Sequence, residues 1–276
     1  GHSGEVTSNA DAAVLIQSLN NLLTTGGKIS LKSGNYTINT TLTLSSLNIE
    51  FCGEGLSTVL NAKNALNGNV ITSNGGYIYL HDFLINGNGG AQASGNGIYT
   101  ANGGAGYAGA QGPVIKHVKV LSAKESGFNI HSGEAILSTC VAVYCGSGFE
   151  FNYMAFGTVS SCISTGNALG VFLSNSYENR FIGFQIFGNT GSDGGMYLYA
   201  SPRNSFESSY IYSNTYTGVT LMLSHYNVFI GNFVQRNGVT GINNLGSNHN
   251  IYSNNFINDN SQTTSGTRED IYMATS

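Results

Sequence analysis

A four-residue phrase, glycine–apolar–variable–apolar, returns through the second half of the chain. It reads Gly127-Phe128-Asn129-Ile130, Gly148-Phe149-Glu150-Phe151, Gly170-Val171-Phe172-Leu173, Gly195-Met196-Tyr197-Leu198, Gly218-Val219-Thr220-Leu221 and, less completely, Gly241-Ile242-Asn243-Asn244. The steps between these glycines are 21, 22, 25, 23 and 23. An asparagine ladder, Asn167, Asn189, Asn214, Asn237 and Asn260, keeps the same beat at 22, 25, 23 and 23. Both ladders share the one long step, which places an insertion of two or three residues in a single repeat. Such a period marks stacked units, each burying its apolar face on the next. The apolar–polar alternation inside each unit is strand periodicity. A unit of about 22 residues is too short for a propeller blade and has no helix for a horseshoe; three short strands and three turns fit one turn of a parallel β-helix.

Composition narrows the function. Charged residues make up 9% of the 276 residues, against ~25% in ordinary domains, and the net charge is -4. With no basic stripe, nucleic acid is excluded as a partner. No apolar run approaches the ~20 residues of a membrane span. The 41% hydrophobic content excludes a disordered chain. A surface of Asn, Ser, Thr and Tyr suits an extracellular, cell-surface or virion-surface protein. Cys140 and Cys162, one repeat apart, fall in one column, either as a disulfide or as two buried thiols; Cys52 and Cys145 have no evident partner. No metal-spaced Cys/His set, nucleophile elbow or phosphate loop is present, so the sequence indicates neither metal nor cofactor.

Residues 1–4 read as a cloning scar and 5–276 as one domain. Residues Asp11 to Leu23 have the only helical pattern, with Ala12, Leu15, Ile16, Leu19, Leu22 and Leu23 on one face and Asp11 as N-cap, a natural plug for the end of an apolar core. Strands follow around Lys28–Leu31, Asn35–Ile38, Leu42–Leu44, Leu47–Phe51 and Leu56–Leu60, and a Gly/Ala-rich excursion spans residues 87–112. The last strand-like phrase, Asp270-Ile271-Tyr272-Met273, predicts either a piece of a longer protein or an irregular cap. The opening, from Asp11-Ala12-Ala13 through Gly26-Gly27-Lys28-Ile29-Ser30-Leu31 to Gly34-Asn35-Tyr36-Thr37-Ile38, resembles the N-terminal cap of the pectate-lyase-like right-handed β-helix superfamily. Ser33-Gly34-Asn35-Tyr36 stands where that family has a Pro-containing turn, and Gly53-Glu54-Gly55 supplies its later glycines. The expected fold is therefore all-β: a single-stranded right-handed parallel β-helix of nine or ten coils with an N-terminal capping helix.

Outward positions of the repeat strand hold the candidate site: Asn129/His131, Glu150/Asn152, Phe172/Ser174, Tyr197/Tyr199 and, one coil earlier, Tyr99. Rings beside amides suit a sugar, through stacking and directed hydrogen bonds; the resemblance implies that this strand and its flanking loops form a glycan groove. Tyr99, Asn129, Asn152, Phe172, Tyr197 and Tyr199 are then substrate-binding residues. Glu150 and His131, on adjacent coils, are read as an acid/base pair. Asp193, in the turn before Gly195, matches the placement of catalytic aspartates in the family's polygalacturonases, although their Gly-His-Gly and Arg-Ile-Lys motifs are absent. Arg180 and Arg203, one repeat apart, are expected to stack in one column and meet an acidic sugar. Calcium is implied by the resemblance alone, without its aspartate set. Two functions follow: an extracellular polysaccharide-binding or -cleaving protein, by lyase or hydrolase chemistry, or a non-catalytic shaft of a virion or adhesin, homotrimeric if a spike.

Overall fold

The computed structural model describes residues 12–74, 76–101, 111–261 and 270–274. The chain is a right-handed parallel β-helix of about ten turns behind one helix. One coil shows the plan: Ser147–Asn152, Thr158–Ser160 and Ile163–Thr165 are its three strands, and Leu169–Ser174 begins the next. The first strand of each coil builds a ten-stranded parallel face; the other two belong to an 18-stranded sheet, joined because Tyr79–Asn86 and Gln111–Leu121 each run across both faces. The stack is in register: Phe128, Phe149, Val171, Met196, Val219 and Ile242 are successive Cα partners and are all buried. Large rings repeat up the interior, with Phe181, Phe206 and Phe229 stacked at centroid separations of 4.8 and 4.7 Å.

The two sequence ladders are halves of one lock. The repeat glycines recur along the stack for space rather than for torsion: a methyl group on Gly195 would lie 2.6 Å from Gly218 O and 2.8 Å from Asn214 Nδ2, and one on Gly218 would lie 2.6 Å from Gly241 O and 2.7 Å from Asn237 Nδ2. Each ladder asparagine therefore fills the place a glycine leaves. Its Oδ1 accepts the backbone N–H of the asparagine one coil earlier (Asn189 N to Asn214 Oδ1, 3.1 Å). Its Nδ2 donates to the next Oδ1 (Asn214 to Asn237, 2.9 Å) and to a core-strand carbonyl (Ile186 O, 3.1 Å). Two further corners repeat the device through Asn179, Asn204 and Asn227, and through Ser209, Asn232 and Asn255. Buried corner backbone is thus satisfied by amides, as an apolar interior requires.

The helix spans Ala12–Leu22 and buries Ala12, Ala13, Ile16 and Asn20. Leu15 and Leu22, expected on the core face, are exposed; the buried stripe is centred on Ala12, Ala13, Ile16 and Asn20, and Leu15 and Leu22 sit more than about 100° from its centre. The N-cap expected at Asp11 lies outside the described residues. Within 87–112, Gly89–Ala91 is a 3₁₀ turn and Ile98–Thr100 a strand of the ten-stranded face, while 102–110 lie outside the described residues.

Cys140 and Cys162 are free, buried thiols, as are Cys52 and Cys145. Burial pushes the Cys145 thiol up to about 11. Cys140, Cys145 and Cys162 should therefore resist a disulfide reagent in the native state and react in denaturant, counted by absorbance. Gly218→Ala should destabilise the fold by about 1–3 kcal/mol as overpacking, and Asn214→Ala by about 2–4 kcal/mol through orphaned buried partners, both measured by urea unfolding. A neutral Gly218→Ala would show that the close approach does not hold.

Candidate functional site

The ten-stranded face presents one outward file in which Tyr99, Asn129, Glu150, Phe172, Tyr197, Thr220 and Asn243 are successive partners. At its middle lies a cavity of about 400 Å³ lined by Asn96, Glu125, Ser126, Asn129, Gly146, Ser147 and Glu150. Glu150 is held there from two sides: Ser126 Oγ donates to its Oε2 at 2.6 Å and Asn152 Nδ2 to its Oε1 at 2.9 Å. Asn152 also donates to Asn129 Oδ1 at 3.2 Å, and Asn96 Nδ2 donates to Glu125 Oε2 at 3.4 Å. Among the described residues the lining thus holds two carboxylates with amides and hydroxyls and no cation.

Toward the later coils the file becomes aromatic. Phe172 and Tyr197 stack at 5.6 Å and 15°. Burial, then the Asp193 carboxylate, then Tyr199 raise the Tyr197 phenol above its ordinary value, and Asp193 itself is exposed in the turn before Gly195. The segment from Asn189 to Gly195 takes six steps where Asn167 to Gly170 takes three, which locates the inserted residues in the turn that carries Asp193. Tyr199 shares the second outward file with Asn152, Ser174 and Met222.

Other expected groupings do not form. Glu150 pairs with Asn129, which leaves His131 two residues farther along its strand, a diagonal of about 7–8 Å. No hydrogen bond or ion pair joins His131 to Glu150 among the described residues; the imidazole stacks instead on Tyr153 at 5.3 Å. Arg180 and Arg203 do not stack, because their coil is the one lengthened by the insertion. Arg180 is partnered by Ser205 and forks onto Glu207 at 3.0 and 2.7 Å, whereas Arg203 sits in a corner 3.7 Å from Glu178. Neither lies on the ten-stranded face. Nothing in the ladders marks Glu125 for chemistry, yet it precedes Gly127 by two residues, the same offset that places Asp193 before Gly195.

A second cluster lies near the N-terminal end, on the neighbouring face. Glu50, Cys52 and His81 present ligand atoms all within 4.8 Å of one another. Spacing alone does not reveal this set, because the coils joining Cys52 to His81 are irregular in length. Lys28 Nζ lies 2.7 Å from Glu50 Oε1, and the Lys28 and then the His81 contacts hold the Glu50 carboxyl below its ordinary value.

The fold is a parallel β-helix whose ten-stranded face carries the outward strip of rings, amides and carboxylates. The model of the family described as periplasmic copper-binding protein (NosD) matches residues 81–276, and the chain belongs to that family. Among solved structures it is similar to the A-module of an Azotobacter vinelandii mannuronan C-5 epimerase, at 20% identity and TM-score 0.84, covering 97% of this chain and 76% of that one. It is similar to the enzymatically active domain of bacteriophage CBA120 tailspike protein 2 (16%, TM-score 0.70, 91% and 40%) and to an Aspergillus tubingensis endo-xylogalacturonan hydrolase (11%, TM-score 0.63, 98% of each). At these identities the likeness concerns the fold. No curated protein matches the chain by sequence. The family's description names copper, and thiol, imidazole and carboxylate together suit a transition ion of that kind.

The Arg180 fork holds the Glu207 carboxyl below its ordinary 4.5. The pair therefore adds its full stability above 4.5 and loses it as pH falls through the lower native value. On acidification below about pH 4.5 the melting temperature of Glu207→Gln should fall less than that of the wild type, read by scanning calorimetry; parallel curves would remove the pair as a source of acid sensitivity.

Proposed function

We propose that this chain binds an extended, uncharged polysaccharide along its ten-stranded face and cleaves it at the Glu125–Glu150 pocket, outside the cell or in the periplasm. The observation that carries this reading is the continuity of one outward file from a two-carboxylate pocket to the stacked Phe172–Tyr197 rings. Rings supply platforms for sugar faces, and paired carboxylates are the groups glycosidic cleavage uses. Two carboxylates with no cation in the lining disfavour a uronate at that point by like-charge repulsion. The mannuronan epimerase and the xylogalacturonan hydrolase among the structural neighbours support a carbohydrate ligand. In this reading Glu150, oriented by Ser126 and Asn152, and Glu125 are the paired carboxyl groups of the cleavage site. Asn129, Asn152 and Tyr99 contact hydroxyls, Tyr199 and Asp193 border the aromatic end, and His131 flanks the pocket. Arg180 and Arg203 take no part.

A second reading has its own support. On the third face Tyr210 stacks on Phe233 at 4.9 Å and Phe187 on Tyr212 at 4.9 Å, and Tyr210, Phe233 and Phe256 are exposed. An aromatic ridge of this kind suits a contact between copies, as in a homotrimeric virion shaft.

A panel of neutral and acidic polysaccharides, scored by gel retardation, reducing ends and unsaturated-product absorbance, separates the two. Retardation by a neutral polymer is expected, with Tyr197→Ala weakening it about tenfold, near the upper value of one aromatic contact. Glu150→Gln and Glu125→Gln should each lower reducing-end release at least about 100-fold with retardation kept. Turnover unchanged in Glu150→Gln, or no retardation by any polymer together with a trimer in solution, would favour the shaft.

A further inference from the structure

We propose that Glu50, Cys52 and His81 form a binding site for one divalent transition ion of the copper–zinc class, apart from the glycan face. By strand parity Glu50 and Cys52 share the outward side of Ile49–Cys52, while Ile49 and Phe51 enter the core; Cys52 is paired with His81 on the next coil. An outward thiol would ordinarily be exposed, yet Cys52 is only 4% exposed. The site thus gathers a carboxylate oxygen, a sulfur and an imidazole nitrogen from two adjacent strands, where backbone pairing fixes their Cα positions.

Three observations separate this cluster from an ordinary surface charge network. First, His81 is oriented as a metal-ligating histidine is. Its Nδ1 lies 2.7 Å from Asp82 Oδ2, and its ring stacks on Tyr79 at 4.2 Å and 27°, which leaves Nε2 turned toward Glu50 at 3.1 Å. A carboxylate on the far nitrogen sets the tautomer and strengthens the ligand. Second, a positive charge already stands beside the donors: Lys28 is the Cα partner of Glu50 on the adjacent strand, and its ammonium lies 2.7 Å from Glu50 Oε1. Third, the size fits. Donors around a tetrahedral ion with bonds of about 2.0–2.3 Å lie ~3.3–3.8 Å apart, so side-chain rotations of about 1 Å close the present arrangement once Lys28 swings into solvent.

The donor types select the ion. Calcium and magnesium require several oxygens, and monovalent copper prefers sulfur alone; a mixed sulfur, nitrogen and oxygen set suits Zn(II) and Cu(II), with Cu(II) bound more tightly. Three protein ligands leave a fourth position for water. Two of the three ligands precede residue 81, where the family match begins, so the site belongs to this chain's N-terminal coils.

The test uses Co(II) as the probe, because a sulfur-to-cobalt charge-transfer band reports thiolate ligation directly, whereas copper also binds isolated imidazoles such as His131, His225 and His249. The full chain should show this band at one equivalent of Co(II), with Zn(II) and Cu(II) displacing the cobalt and Ca(II) leaving it. Cys52→Ser should abolish the band, His81→Gln should weaken binding at least about 100-fold, and Asp82→Asn about 10–100-fold as a positioning residue. Lys28→Gln, which removes the competing ammonium and no ligand, should tighten binding several-fold; circular dichroism of each variant checks the fold. The proposal is overturned if the wild type gives no charge-transfer band at one equivalent, or if Lys28→Gln leaves affinity unchanged and Cys52→Ser binds Co(II) as tightly as the wild type.

Discussion

Coil-on-coil registration is the constraint on which every other property of this molecule rests. Parallel strands exchange only main-chain hydrogen bonds, which tolerate a slip of two residues without loss. What forbids the slip is at the corners: a ladder asparagine can satisfy the N–H of the coil below only from one height, and it can sit there only where the strand beside it carries glycine. Gly195 with Asn214 and Gly218 with Asn237 are the recurring unit. The cost of burying so many amides is low because each serves as donor and acceptor to the next, leaving few polar groups without partners in the regular coils.

Registration also turns an extended scaffold into a ruler for side chains. Residues a coil apart stand about 4.8 Å from each other, so the outward file places carboxylate, ring and amide at fixed intervals on a surface that needs no loop closure to be organised. The same geometry operates at the N-terminal end, where the pairing of Cys52 with His81 brings together donors from distant parts of the chain. The two clusters differ in electrostatic character: acidic and uncompensated around Glu150, mixed and tightly paired around Glu50.

The core files and the asparagine ladder were legible in the sequence because the later coils keep a near-constant length; Phe128 through Ile242 could be aligned by counting. Counting failed where coil length changed. Arg180 and Arg203 are one ordinary repeat apart inside a coil lengthened to 25 residues, so equal spacing put them in different columns. His131 and Glu150 are two residues short of one full coil, which leaves them out of step. Glu50, Cys52 and His81 lie in the early coils, where no period exists to count, and their proximity follows only from strand pairing. Glu125 was recoverable: its offset from the repeat glycine equals that of Asp193, but its neighbour Asn96 lies across the irregular segment.

The turn before Gly195 carries extra residues, and Met196 still falls opposite Val171 below and Val219 above. Length added at that corner is therefore absorbed locally and leaves no trace in the next layer. A solenoid built this way can lengthen or exchange a rim loop while its interior stays unchanged, so the chemistry at the edge of the aromatic surface is free to diverge between related chains independently of their stability.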